Sequence, residues 1–103
     1  MANFLLLYHG GKMPESPEEG AQVTKAWTDW FGELGGAVVD GGNPVSRSRT
    51  VSPAGSVSEA ASDISGYSVI KADNLEAAVE LAKGCPVLLG DASVEVAETF
   101  AAM

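Results

Sequence analysis

Asn3-Phe4-Leu5-Leu6-Leu7-Tyr8 is the stretch on which the fold turns. It is a continuous apolar run, short enough for a strand, and a strand sends alternate side chains to opposite faces of its sheet. Phe4, Leu6 and Tyr8 then line one face, and Leu5 and Leu7 the other, so the strand is apolar on both. Helices can cover one of those faces; the second calls for another cover, because bare apolar surface of that size usually marks an interface. With Met1-Ala2 in front, the run superficially resembles a secretory leader. It lacks a basic start, its apolar core is short, and no small-residue cleavage site follows, so it reads as a strand of a cytoplasmic protein.

Gly10-Gly11 ends this strand, and Ser16-Pro17-Glu18-Glu19 opens a helix. Ser16 is a capping residue, Pro17 fits the first helical position, and Glu19 completes a capping box. Val23, Ala26, Trp27, Trp30, Phe31 and Leu34 then recur at the three-and-four spacing of one buried helical face, which Gly35-Gly36 terminates. Trp27 and Trp30 therefore read as packing residues rather than a ligand box. Ala37 to Asp40 is a second strand, bent by Gly41-Gly42 and Pro44. Arg47 to Val51, a Pro53-Ala54-Gly55 turn and Ser56 to Ser58 read as a hairpin. Seven serines lie between Ser46 and Ser65, the least apolar part of the chain. Gly66 to Ala72 is the next strand. Asp73 caps a second helix with Leu75, Ala78, Val79 and Ala82 as its buried stripe, ended by Gly84 and Pro86. Ser93 to Val96 is a last strand, and Phe100 is expected to dock the tail. The order is βαββαβ, a ferredoxin-like α+β fold in a single domain over residues 1–103, with two helices on one face of a four-stranded antiparallel sheet.

Composition excludes several classes of function. The chain has 103 residues, 46% of them apolar, and a net charge of −8 from 14 acidic and six basic residues. A nucleic-acid surface needs clustered Lys and Arg to displace counterions, and an anionic membrane surface needs the same. Neither partner is expected, and no apolar run approaches a membrane span. Cys85 is the only cysteine. It cannot form an intrachain disulfide, and with one His and one Cys the chain lacks a metal constellation, so neither metal nor cofactor is expected. Lys83 is the only cation near Cys85, too little to mark a reactive thiol, and a small buried hydrophobe is the expected role.

Taken together, Leu5-Leu6-Leu7-Tyr8, the capped tryptophan helix, Val39-Asp40-Gly41-Gly42, Gly66-Tyr67-Ser68-Val69-Ile70 and the Leu75-Glu76-Ala77-Ala78 helix ending Gly84-Cys85-Pro86 resemble the YCII-related, or DGPF-domain, family. Order and spacing over nearly the whole chain carry the resemblance. It implies a ferredoxin-like fold that pairs through its open sheet face into a dimeric α/β barrel, hence a homodimer, and a function mostly unassigned. The eponymous Asp-Gly-Pro-Phe is missing: its place before the third strand reads Glu59-Ala60-Ala61-Ser62-Asp63-Ile64-Ser65. Some members carry a His–Asp pair, but no catalytic residue is carried over to this chain.

The residues themselves offer a few candidates for chemistry. His9 is the one side chain whose ordinary titration lies near neutrality, and Asp40 is a carboxylate able to orient it as a general base if the two meet. The plain alternative is a strand-end histidine and a turn-forming aspartate. Arg47 and Arg49, two apart on one strand face, can fork onto a carboxylate or phosphate, or pair with the chain's own acids. Tyr67 can point its hydroxyl into a barrel cavity or serve as packing. His9-Gly10-Gly11-Lys12 lacks the spacing of a phosphate loop. Two readings follow: a non-catalytic dimeric module that binds a small molecule or supports a partner, and a small enzyme that uses His9 and Asp40 on a small substrate, an anionic one included.

Overall fold

The computed structural model describes residues 1–11, 14–59 and 63–101; Lys12 and the Ala60 to Ser62 part of the segment before the third expected strand lie outside them. The apolar run becomes β1 (Ala2–His9). Phe4 and Leu6 are fully buried and Tyr8 nearly so, while Leu5, Leu7 and His9 on the opposite face are partly exposed. The helix α1 (Pro17–Leu34) starts where its capping signal lies, with Ser16 Oγ accepting from Glu19 N at 3.1 Å. The Glu19 carboxylate reaches back one residue beyond the cap and accepts from Glu15 N at 3.2 Å. Gly35, at φ +54°, stops the helix in a left-handed turn open to glycine, and the short β2 (Val38–Asp40) follows.

After β3 (Arg49–Val51) and β4 (Val57–Glu59) comes β5 (Ile64–Ala72), two residues longer at its start than the sequence suggests. Asn74, rather than Asp73, caps α2 (Leu75–Ala82), accepting from Ala77 N at 2.8 Å. A 3-10 turn, Pro86–Leu89, leads to β6 (Ser93–Glu98). The strand order is β2-β5-β1-β6, antiparallel throughout. Both helices pack on the face that carries Phe4, Leu6, Tyr8 and Ile70: α1 through Trp27, Trp30, Phe31 and Leu34, α2 through Ala77, Ala78, Leu81 and Ala82. Val23, Leu75 and Val79 fall at the margins of their stripes and are about 40% exposed. Phe100 does not dock; it is 87% exposed.

The expected ferredoxin-like βαββαβ chain closing into a dimeric α/β barrel is corrected to an open, two-sheet α+β fold. The hairpin β3–β4 forms a two-stranded sheet of its own, with Arg49 opposite Glu59 and Val51 opposite Val57. Gly41, Gly42 and Pro44 bend the chain away after β2, and only an isolated Pro44–Gly66 bridge prolongs the pairing to β5. Val51 and Val57 stay more than half exposed, so the hairpin presents no buried apolar face to hold it on the larger sheet. Among the described residues the four-stranded sheet has β2 and β6 as its edges, with no further strand on either. β2 is three residues long with a register shift between Val38 and Asp40, too short and irregular to carry a closing ladder. The argument for a homodimer weakens with the barrel. Leu5, Leu7 and Val69 on the face away from the helices are only partly exposed, shielded by their cross-strand neighbours. Among the described residues no helix is long and apolar enough to cross a membrane.

Candidate functional site

β1 delivers His9 to the end of the sheet on the face away from the helices, in line with Leu5 and Leu7. β6 sets Glu95 opposite Leu7 and Ser93 opposite His9, so Glu95 stands diagonally across from the imidazole on the same face. On the other side, a register shift between Tyr8 and His9 brings Ile64 opposite His9 and Asp63 just before it. Gly10, at φ +78°, turns the chain there and donates its N–H to Asp63 O at 3.0 Å.

His9 is consequently held at both ring nitrogens. Nδ1 lies 3.1 Å from Asp63 Oδ1, and Nε2 lies 3.0 Å from Glu95 Oε1. Its side chain is 22% exposed, against 73% for Asp63 and 59% for Glu95. Two ionised carboxylates can both be satisfied only by a ring protonated at both nitrogens. Asp63 steadies Nδ1, and the Glu95 side chain facing Nε2 is mostly exposed, so the Nε2 side of the imidazole borders solvent.

Behind β1, on the helix side, a short polar relay crosses the core. Tyr8 Oη donates to Ser68 Oγ at 2.7 Å, and Ser68 Oγ donates to Gly41 O at 2.7 Å. Burial pushes the Tyr8 hydroxyl's pKa well above its ordinary value, with the neighbouring Ser68 oxygen opposing the rise. Cys85, 2% exposed beside Tyr8, has its thiol pKa raised by burial as well, which fits a packed sulfur rather than a reactive one. Above this relay a cleft of ≈ 810 Å³ opens between α1, the loop 41–45 and the 3-10 turn Pro86–Leu89. Tyr8, Trp27 and Phe31 line it, and Gly10 lies at its rim. A Cβ on Gly10 would stand 3.5 Å from Asp63 Oδ2, so the His9 centre and the cleft meet across this one glycine.

Of the expected site residues, His9 is at the centre, and Tyr67 shares its sheet face, opposite Leu7, with Oη 3.5 Å from Asn43 Nδ2. Asp40 is not joined to His9: its Oδ1 accepts from Gly42 N at 2.8 Å in a local turn. Arg47 is exposed in the loop before β3, and Arg49 is exposed within β3; neither contacts His9 among the described residues. Asp63 and Glu95 went unread. Glu95 becomes visible once β6 is paired with β1 in register, because Leu7 and His9 then flank its position; nothing local singles out Asp63. Among the described residues no three His, Cys, Asp or Glu side chains are grouped to hold a metal ion.

No protein-family model matches the chain, and no curated protein matches it, so the YCII-related likeness rests on the quoted residues and assigns the chain to no family.

Proposed function

We propose that this chain is a small enzyme that transfers a proton on a small-molecule substrate, with His9 as the proton-carrying group. The observation that supports it is the two-sided hold on the imidazole by Asp63 and Glu95. A carboxylate on Nδ1 fixes the ring's orientation and tautomer, the arrangement that general acid–base catalysis by histidine uses. Once a substrate displaces Glu95, the neutral ring's Nε2 takes the carbon-bound proton and a solvent proton is returned to the same carbon. Asp63 is a positioning residue here, and Asp40 has no part in the pair.

The test is proton exchange at carbon. A panel of small carbonyl compounds is incubated with the protein in D2O, and loss of the proton signal next to the carbonyl is followed by NMR. Faster exchange of at least one compound is expected, falling by about 10²-fold or more in His9→Asn. An unchanged rate in His9→Asn, or no acceleration across the panel, overturns the proposal.

A further inference from the structure

The cleft on the helix side has a role of its own, independent of what His9 does. Its volume of ≈ 810 Å³ lies within the range of small-molecule sites. Two of its walls are apolar: Val23, Trp27 and Phe31 on α1, and Val87 and Leu89 on the 3-10 turn. The Trp27 ring meets Tyr8 edge-on at 5.2 Å between centroids and lies tilted against Phe31 at 5.5 Å, so the three rings form one aromatic surface. Trp27 and Phe31 are half-buried, Val23 is 40% exposed and Leu89 84%, which leaves this surface open to a ligand.

The polar side chains of the lining fall into three groups. The Tyr8 hydroxyl is spent on Ser68, and Ser68 on the Gly41 carbonyl. The carboxylates of Glu19 and Asp91 are exposed and already engaged within the molecule, Glu19 by the Glu15 N–H at 3.2 Å. Exposed charges pair weakly across water, so this rim gives little hold on a cation, and among the described residues the lining has no Lys, Arg or His for an anion. The rest are neutral. The Asn43 amide and the Tyr67 hydroxyl lie 3.5 Å apart, and the Gln22 amide and Ser65 hydroxyl have no side-chain partner among the described residues. A full charge entering between the apolar walls would exchange its hydration for neutral dipoles, whereas an uncharged ring loses little and gains the aromatic surface. We infer that this cleft is a binding site for a small uncharged aromatic molecule that carries an amide or hydroxyl group.

Four compounds of nearly equal size test the inference: benzamide, benzoate, benzylamine and cyclohexanecarboxamide. Each is titrated to about 20 mM into the 15N-labelled protein at about 0.3 M salt, which screens attraction to the acidic surface. The Trp27 indole N–H and the amides of Gly41, Gly42 and Gly90 are followed by NMR. Benzamide is expected to shift these signals with an affinity about threefold or more above each of the other three. Val23→Trp fills the space without altering any charge and should abolish the shifts. If that variant does not fold, Leu89→Trp on the other apolar wall makes the same test. Gln22→Leu combined with Ser65→Ala removes both unpartnered polar groups and should weaken benzamide about threefold or more. Benzoate, benzylamine or cyclohexanecarboxamide binding as tightly as benzamide overturns the inference. So does benzamide binding that survives the filled cleft or is unchanged in the Gln22 and Ser65 variant, or the absence of any shift with benzamide.

Discussion

Tyr8 and Ser68, 60 positions apart in the chain, share a buried hydrogen bond of 2.7 Å at the centre of an otherwise apolar core. Ser68 is fully buried, and it passes the contact on to the carbonyl of Gly41. The pair thus ties the turn after β2 to the middle of the sheet. Ser68→Ala would leave the Gly41 carbonyl without this donor and deprive the Tyr8 hydroxyl of its acceptor, for a loss of about 2–3 kcal/mol; Tyr8→Phe leaves Ser68 its acceptor and should cost about 1 kcal/mol. The double variant should cost less than the sum, because both changes remove the same bond. Urea midpoints at constant slope measure all three.

The raised values of Tyr8 and Cys85 set an alkaline limit. Both groups hold their protons more tightly folded than unfolded, so the stability they contribute is complete below the unfolded values, about 8.5 for Cys and 10 for Tyr, and is lost as pH rises through the higher folded ones. Stability should therefore begin to fall above about pH 8.5. Cys85→Ala should flatten the first part of that decline and Tyr8→Phe the later part, read from urea midpoints across the alkaline range. In the same samples a thiol reagent should leave Cys85 unmodified in the folded protein and react once urea unfolds it.

Gly42 tolerates no side chain. A Cβ there would sit 1.7 Å from the Tyr67 carbonyl oxygen, at a φ of +75° that side-chain-bearing residues avoid. Gly42→Ala is expected to cost about 2–4 kcal/mol. Gly55 has a similar φ of +87° but faces open space, and Gly55→Ala should cost only about 1 kcal/mol. Thermal unfolding of the two variants side by side separates the steric clash from the backbone preference.

Removing His9 should hardly disturb the fold. Its two carboxylate partners are mostly exposed, and such pairs contribute about 0–1 kcal/mol. His9→Asn is expected to unfold within that margin of the unaltered protein. A loss of proton-exchange activity without a matching loss of stability would assign the effect to chemistry rather than to folding.

Much of this architecture is legible one residue at a time. The two-faced β1, the Ser16 cap and the hairpin around Pro53-Ala54-Gly55 each follow from local pattern, because strand alternation, capping and turn chemistry act over a few residues. The second cap slips from Asp73 to Asn74 because either side chain can accept from a helix N–H, and only the path of the chain decides between them. The His9 partners are hidden for a different reason. Asp63 and Glu95 lie 54 and 86 positions away, and their proximity depends on strand register, which no local signal specifies. Asp40, a local neighbour of two glycines, looked more suitable than it is because its turn already uses its carboxylate.

β1 lies between β5 and β6, and its Asn3 carbonyl also accepts from the Thr99 hydroxyl and backbone N–H, a closure spanning 96 residues. A sheet whose central strand is synthesised first and one of whose flanking strands is synthesised last has a high contact order, which places its folding toward the millisecond-to-second end of the range for small domains. On the ribosome, β1 waits with the edge meant for β6 unpaired until the partner emerges. The exposure is brief but real: the run Phe4 to Tyr8 is uncharged, apolar and free of proline, the composition that aggregates edge to edge. Shortening the chain before Ser93 would make that transient state permanent and turn a central strand of the protein into its stickiest surface.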